Sequence, residues 1–302
     1  MGRIYECFSL NKLEINPLDS VSENHFFSLS CILYPHVIAM PDFTVLPGYD
    51  HAWPQFLYLN PSSPLISKLS FPKGFNITST PLVIHRRIDI LLSKDELISI
   101  HKSVQPPNVT LEDTSLFSEE GIWTLPVAEY VDEFLAPLPK GNYATMVVST
   151  AGHWTTSVFS KVEPPGIKGV LNLFEAAVER WSEEVQSALR MHARTDVFSD
   201  VSYPPWFRLW SQLPKQKERR VVIRAYLPGH EDCHNVRQPW DEVQPFKWNY
   251  YNWNEIRQFN ALFEVRWFSS NICFLKKNNL DTLSCRKSYS RASDFPISII
   301  LE

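Results

Sequence analysis

Three short segments of the sequence carry residue types that could transfer an acyl group. The first is Asp19-Ser20, a serine directly before a stretch with helical character. Backbone N–H groups at the start of a helix are free to stabilise an oxyanion, and the helix dipole adds to this effect. A serine in this position becomes a nucleophile when a histidine removes its proton. The same pair is also an ordinary N-cap, so these two residues alone leave both interpretations open.

The second segment, residues 149–154, reads Ser-Thr-Ala-Gly-His-Trp and follows a predicted buried strand. Gly152 permits a tight turn after that strand, and its N–H could face an oxyanion. Trp154 could form one wall of a sugar site. A strand-ending turn with a packed tryptophan accounts for the same residues equally well.

The third segment, residues 230–234, reads His-Glu-Asp-Cys-His. A histidine oriented by a carboxylate, such as His234 beside Asp232, suits acyl transfer. A metal-dependent hydrolase centred on His230, Asp232 and His234 is a weaker alternative, because a ligand spacing of four on a loop matches no rigid template. A solvated polar loop is the third interpretation.

The elements that must position these segments alternate along the chain, which predicts a three-layer α/β domain with a mostly parallel sheet. In such sheets, functional residues gather in the loops at the carboxyl ends of the strands, and all three segments fall at such positions. Residues 35–80 predict loops and short strands, and residues 94–118 predict an irregular insertion. Helices are predicted over 20–34, 123–135, 171–191 and 252–263, and strands within 81–92, 143–149 and 221–226.

The composition excludes several classes of function. The chain has 29 Lys and Arg against 33 Asp and Glu, a formal net charge of −4, so nucleic acid is not an expected partner. Glycine occurs only 9 times and neither phosphate-binding glycine motif is present, which disfavours a nucleotide cofactor. The 5 cysteines show no Cys-x-x-Cys spacing, so no zinc knuckle is expected.

The sequence also bears on the compartment. No stretch reaches the roughly 18 to 20 apolar residues that a membrane span needs, and residues 1–30 show no signal peptide. Two glycosylation sequons, at Asn76 and Asn108, favour a secretory lumen, although such triplets also arise by chance.

Taken together, the three segments resemble the trichome-birefringence-like/PC-esterase family of the SGNH/GDSL hydrolase superfamily, and its fungal members most of all. Leu18-Asp19-Ser20 and the helix after it look like the family's Gly-Asp-Ser block. Residues 151–154 look like its Thr-Gly-His-Trp block. Residues 228–234, followed by 251–253 and 259–261, are similar to fungal members, so the likeness spans residues 17–264.

This resemblance implies a flavodoxin-like α/β/α fold that acts on acetyl esters of polysaccharides or other glycans, in the Golgi or outside the cell. An acetyl donor and a glycan acceptor would be the partners, and no metal or nucleotide cofactor is needed. Ser20 would form the acyl-enzyme, with Asp19, His234 and Asp232 as the other catalytic residues. Backbone N–H groups of Ser20 and Gly152 would hold the oxyanion. The residues implied in substrate binding are Asn24, His153, Trp154 and His230.

Two features depart from the family pattern. Leu18 stands where the family has glycine, and no Asp/His block follows Phe263, since residues 265–302 contain no histidine. We therefore expect an incomplete SGNH-like domain over 1–264 and an atypical tail over 265–302 without helical or strand period. The alternative function is an inactive family remnant, or a glycan-binding protein that uses Trp154, Trp240 and Trp253.

Overall fold

The computed structural model describes residues 14–18, 20–42, 54–105, 116–117, 122–198, 219–227, 251–276 and 298–300. Within these ranges the strands form one seven-stranded sheet, with helices packed against it. The strands are β1 (Glu14–Leu18), β2 (Val37–Met40), β3 (Gln55–Leu59), β4 (Pro81–Arg87), β5 (Thr145–Val148), β6 (Arg220–Arg224) and β7 (Ser298–Ile300). The α-helices are α1 (Ser20–Leu33), α2 (Lys94–Val104), α3 (Val127–Leu135), α4 (Ile167–Phe198) and α5 (Ile256–Lys276).

The sheet has the order β2-β3-β4-β1-β5-β6-β7. Strands β4, β1, β5, β6 and β7 pair in parallel, and β2 and β3 extend the sheet beside β4 in antiparallel fashion. Across the sheet, the five parallel strands are therefore the second, first, third, fourth and fifth of their kind along the chain. This is a doubly wound order whose direction switches between β1 and β5. The prediction of an α/β domain with a mostly parallel sheet is confirmed.

The helices fall into two groups by their contacts. Helix α1 contacts β1, β2 and β4, whereas α2, α3 and α5 each contact α4. Right-handed crossovers explain this division, because the connection from β1 to β4 runs in one direction across the sheet and the later connections run in the other. Helix α1 therefore covers one face of the sheet, and the other four helices lie on the opposite face.

Helix α4 forms because its apolar residues recur every three or four positions. Phe174, Trp181 and Val185 are at most 1% exposed, and their helix packs against α5. The ring of Phe174 meets that of Phe259 edge to face at 4.8 Å, and Trp181 meets Phe263 in the same way at 5.3 Å. Such pairs add to the free energy gained from burying the rings.

Helix α5 continues past residue 265, where the sequence predicts no helical period. Phe259, Phe263 and Trp267 recur at intervals of four and are at most 3% exposed, so the apolar stripe runs on. Arg266 forms ion pairs with Glu175 and Glu179 of α4. Strand β7 then pairs in parallel with β6. Residues 265–276 and 298–300 are therefore helical and extended, although the sequence there shows no clear helical or strand period.

Helix α2 lies within the segment predicted to be irregular, and that prediction is also wrong. Its start carries a capping box: the Ser93 hydroxyl accepts a hydrogen bond from the N–H of Glu96 at 3.2 Å, and the Glu96 carboxylate accepts one from the N–H of Ser93 at 2.7 Å. These two bonds satisfy donors that the first turn leaves free. Leu97 and His101 are the buried residues of this helix.

Candidate functional site

The candidate site lies at the carboxyl ends of the parallel strands. Leu18 at the end of β1 is paired with Arg87 at the end of β4, and Val148 at the end of β5 is paired with Ile223 of β6. These ends therefore share one edge of the sheet. Because β1 lies between β4 and β5, the corner between β1 and α1 has the β4 loop on one side and the β5 loop on the other.

Ser20 is the first residue of α1 and follows β1 after a single intervening residue. This is the helix start that the sequence predicts, beside the point where the strand order switches. The side chain of Ser20 and the whole of Asp19 lie outside the described part of the chain. The nucleophilic role of Ser20 therefore stays a prediction.

A buried carboxylate joins the loops on either side of this corner. Asp89, two residues past β4, is 1% exposed. Its Oδ2 accepts a hydrogen bond from the N–H of Trp123 at 3.0 Å, and its Oδ1 accepts one from Nε of Arg87 at 3.4 Å. Nε2 of His153 lies 3.4 Å from the same Oδ1, and the hydroxyl of Thr150 donates to the backbone carbonyl of Asp89 at 3.2 Å. Buried charges require such partners.

His153 therefore stands beside the β1–α1 corner, with Nε2 of its ring 3.4 Å from the carboxylate of Asp89. Its side chain is 22% exposed, so the ring is open to solvent on part of its surface. Among the described residues, none makes a hydrogen bond to the other ring nitrogen, Nδ1. The guanidinium of Arg87 stacks on the ring of Trp123 at 3.9 Å from its centroid, which fixes the cation next to Asp89.

The turn after β5 differs from its predicted form at Gly152. Gly152 does not adopt a positive φ; the strained residue is Ala151, with φ 135°. Glycine is required at 152 for another reason, since a Cβ there would overlap Oη and Cζ of Tyr226. Close packing against Tyr226, rather than backbone freedom, thus selects glycine. An oxyanion contact from the N–H of Gly152 stays a prediction.

Trp154 belongs to the core. Its side chain is 0% exposed, stacks on Phe159 at 5.0 Å and meets Phe174 edge to face at 4.9 Å. Its indole Nε1 donates to the hydroxyl of Thr150 at 3.0 Å. The ring therefore has no exposed face for the expected sugar contact, and its role is to hold the 149–154 turn against α4.

The end of β6 completes this edge. Arg224 donates to the hydroxyl of Ser22 at 2.6 Å and also contacts Nδ1 of His25, which ties the first turns of α1 to β6. Asn260 of α5 fixes the backbone of Tyr226, with one bond to its N–H and one to its carbonyl, both of 2.9 Å. These bonds hold the Tyr226 segment beside Gly152.

The structure places the start of α1, Gly152 and His153 at the same edge of the sheet, and Asn24 is exposed on α1. Sequence reasoning missed Asp89 and Tyr226. A signal for Asp89 existed, because it follows the strand predicted within 81–92 at its carboxyl end. Tyr226 carried no such signal, since its role depends on the approach of a distant turn.

A cavity of about 640 Å³ lies elsewhere in the described region. It sits on the β2–β3 hairpin, which β4 separates from the β1–α1 corner. Ile38, Met40, Phe56 and Tyr58 are among its lining residues. This apolar lining contains none of the predicted site residues.

The remaining predicted site residues, His230, Asp232 and His234, lie outside the described residues, as does Trp240. Within the ranges that the structure describes, no three His, Cys, Asp or Glu side chains are grouped so that they could hold a metal ion.

No helix in these ranges has both the length and the apolar character needed to cross a membrane. Comparison of the chain with known protein families, curated proteins and solved structures found no match.

Proposed function

We propose that this chain is a serine-dependent carbohydrate O-acetyl esterase or O-acetyltransferase of the SGNH-hydrolase type. The observation that carries the proposal is the position of Ser20 as the first residue of α1, at a strand-to-helix corner beside the switch point of the sheet. The order of the parallel strands supports a flavodoxin-like fold, which the resemblance implies. The free N–H groups of the first turn of α1 suit an oxyanion.

In the proposed reaction, Oγ of Ser20 attacks the carbonyl carbon of an acetyl ester and loses its proton to an imidazole. The N–H groups at the start of α1 and of Gly152 stabilise the oxyanion of the tetrahedral intermediate. The bond to the sugar oxygen then breaks, and that oxygen takes the proton from the imidazole. Water or a second sugar hydroxyl then loses a proton to the imidazole and attacks the acetyl-serine. The bond from the acetyl carbon to Oγ breaks and Oγ takes that proton back, which gives acetate or a newly acetylated glycan.

The proposed partners are a glycan acceptor and an acetyl donor, and the proposed compartment is the secretory pathway or the cell exterior. Asn76 supports this compartment, because its sequon lies in an exposed turn. The Oδ1 of Asn76 accepts hydrogen bonds of 2.9 Å from both the N–H and the hydroxyl of Thr78. The sequon is therefore accessible to glycosylation.

The test compares acetyl-ester hydrolysis by the purified full chain and by Ser20→Ala, with 4-nitrophenyl acetate and with acetylated xylan. We expect Ser20→Ala to lose several orders of magnitude in kcat/KM, because the remaining groups do not replace a nucleophile. Mass spectrometry of the wild type should find one acetyl group on the peptide that contains Ser20.

The matched control is Ser28→Ala, which removes an exposed hydroxyl on the same helix whose local bond is to the carbonyl of Asn24. It should retain wild-type rates. Equal rates for Ser20→Ala and the wild type would remove the enzyme proposal.

A second candidate, glycan binding without catalysis, is favoured by the pair Tyr251 and Trp253. Their rings are stacked at 5.5 Å with an interplanar angle of 17°, and Tyr251 is 37% exposed. The exposed ring of Tyr251, backed by the half-buried Trp253, could stack on the apolar face of a sugar. Calorimetric binding of an oligosaccharide that Trp253→Ala abolishes, in a wild type without ester hydrolysis, would favour this candidate.

A further inference from the structure

We infer that Asn76 carries an N-linked glycan and that the first sugars of this glycan cover the apolar groove on the β2–β3 hairpin. This inference rests on the proposed function through its compartment, because sugars are attached to Asn-x-Thr sequons in the lumen of the secretory pathway. The glycan would shield a surface that lies apart from the candidate site.

The groove is formed by alternate residues of two neighbouring strands. In the register of the hairpin, Ile38 pairs with Tyr58 and Met40 pairs with Phe56, so these four side chains lie on one face of the sheet. Gln55 precedes Phe56 and points to the other face, where its side chain donates a hydrogen bond to a carboxylate of α1. The groove therefore lies on the side of the sheet away from α1.

The lining of the groove suits a neutral sugar. Ile38 and Met40 are 42% and 43% exposed, and the rings of Phe56 and Tyr58 lie 5.7 Å apart. Among the described residues that line the groove, none carries a charge. Its volume, about 640 Å³, is within the roughly 300 to 1,000 Å³ of small-ligand sites. A sugar ring has an apolar face of C–H groups for such a surface, and the hydroxyls of Tyr58 and Thr78 can bond to its polar edge.

The sequon stands at the rim of this groove. Thr78, its third residue, lines the groove, and the N–H and the hydroxyl of Thr78 both donate to Oδ1 of Asn76 at 2.9 Å. These two bonds hold the amide of Asn76 beside the rim. Nδ2 of Asn76, the atom that bears the sugar, makes no hydrogen bond to any residue that the structure describes. A sugar attached to Nδ2 therefore begins at the edge of the groove.

The backbone fixes Asn76 in this position. Its N–H donates to the hydroxyl of Thr80 at 3.0 Å, and its carbonyl accepts a bond of 2.8 Å from the N–H of Thr80. Thr80 is 0% exposed, and β4 begins at the next residue. The turn is thus anchored to the sheet, which limits the directions that an attached sugar can take. A restricted sugar loses less entropy when it packs on the groove.

The modification is a transfer without oxidation or reduction. Nδ2 of Asn76 forms a bond to C1 of the first sugar and gives up one of its two protons. The bond from C1 to the diphosphate of a lipid-linked oligosaccharide breaks, and the lipid diphosphate leaves. The secretory lumen supplies this donor.

The first experiment measures occupancy of the sequon. The full chain is secreted from yeast behind a cleavable secretion signal, with Asn108→Gln so that Asn76 is the remaining sequon. We expect the tryptic peptide 74–86 to carry a glycan, and N-glycosidase in heavy-oxygen water to convert Asn76 to labelled aspartate. Thr78→Ser should keep this glycan, whereas Thr78→Ala should abolish it. A folded, secreted chain with an unmodified Asn76 would overturn the inference.

The second experiment measures whether the glycan covers the groove. Hydrogen peroxide oxidises methionine to the sulfoxide, and Met40 lines the groove, whereas Met191, 62% exposed, lies on α4 outside it. We expect Met40 to oxidise several-fold more slowly in the glycosylated chain than after native removal of the glycan, and Met191 to oxidise at the same rate in both. Equal rates for Met40 would show that the glycan projects into solvent and would overturn the inference.

The third experiment measures the contact itself. Removal of the glycan should lower the urea midpoint of the wild type but not that of Phe56→Ala, because the ring on which the sugar packs is gone. The matched control is Ile32→Ala, which removes a side chain that is 71% exposed on α1, and it should keep the full shift. An equal shift in Phe56→Ala would contradict the contact.

Two further outcomes separate the alternatives. Protection of Met40 that appears without the glycan and rises with protein concentration would identify a second copy of the chain as the occupant and overturn the inference. Ester hydrolysis is followed on the same preparations. Hydrolysis that depends on Ser20 together with an unmodified Asn76 would overturn the inference alone, whereas a covered groove in a chain without such hydrolysis would support the inference and overturn only the proposed enzyme activity.

Discussion

The close approach of Tyr226 to Gly152 yields a quantitative prediction about the turn after β5. A methyl group at position 152 would overlap Oη and Cζ of Tyr226 and would lie 2.9 Å from Cε1. Real Cβ atoms do not tolerate such contacts, so either the tyrosine ring or the turn must move. Asn260 fixes the Tyr226 backbone from both sides, so relief has to come from rotation of the ring or from a shift of the turn.

We expect Gly152→Ala to lower the free energy of unfolding by about 1 to 3 kcal/mol, the range for overpacking in a closely packed site. This loss of stability should depend on the presence of the Tyr226 ring. In Tyr226→Ala the obstruction is gone, so adding Gly152→Ala to it should cost almost nothing. Tyr226→Phe keeps Cζ and should give little relief. The coupling energy between the two positions is therefore about 1 to 3 kcal/mol.

Urea unfolding followed by tryptophan fluorescence measures all four members of each cycle. Gly166→Ala is the matched control: Gly166 has φ +85° and open space around its Cα, so its substitution costs about 1 to 2 kcal/mol through backbone strain alone. It should show no coupling to Tyr226. Additive effects of Gly152→Ala and Tyr226→Ala would refute the packing explanation of Gly152.

Two further predictions concern the support of the fold. Burial lowers the pKa of His101 below its ordinary value of 6.5, against a smaller opposing effect of the Glu163 carboxylate, and His101 accepts a bond of 3.0 Å from the N–H of Glu163. This contribution to stability is complete above about pH 6.5 and is lost as the pH falls through the lowered pKa. The urea midpoint of His101→Gln should therefore depend less on pH than that of the wild type, and an equal pH dependence of the two would contradict this explanation. Arg219 donates hydrogen bonds to the carbonyls of Phe134 and Tyr143 at 2.8 and 3.1 Å. Arg219→Met removes both donors and should lower the free energy of unfolding by about 1 to 3 kcal/mol. An unchanged urea midpoint would show that water replaces these bonds.

The sequence predicts the long, periodic elements of this fold well. The apolar positions of helix α4, from Phe174 to Val185, are the buried ones, because a residue on the core face must recur every three or four positions. Strand β5 was expected within 143–149 and lies at Thr145–Val148. The helix after β1 was expected over 20–34 and spans Ser20–Leu33. Alternation of these elements also predicts the parallel sheet.

Shorter signals were missed where local chemistry outweighs periodicity. Helix α2 is weakly periodic, but Ser93 and Glu96 form the capping box that starts it, a pattern visible in the sequence. Helix α5 passes the predicted boundary because Trp267 extends its apolar stripe and Arg266 pairs with α4. Capping and ion pairs therefore decide element bounds that a hydrophobic pattern leaves open.

The sequence predicts which loops carry the candidate site, but not which side chains contact one another there. The loops after β1 and β5 were identified because parallel strands end at one edge. The contact of Asp89 with His153 joins residues from strands that are not neighbours in the sheet, and it depends on strand order, which no local pattern reveals. The burial of Trp154 was equally hidden, since the same turn could hold the ring in the core or at the surface.

The central claim is tested most directly by the distance between Oγ of Ser20 and the nearest imidazole nitrogen in a crystal structure of the full chain. The proposed mechanism predicts about 3 Å, or a single water that bridges the two atoms. A hydroxyl that points away from the carboxyl edge of the sheet, with no imidazole within reach, would contradict it.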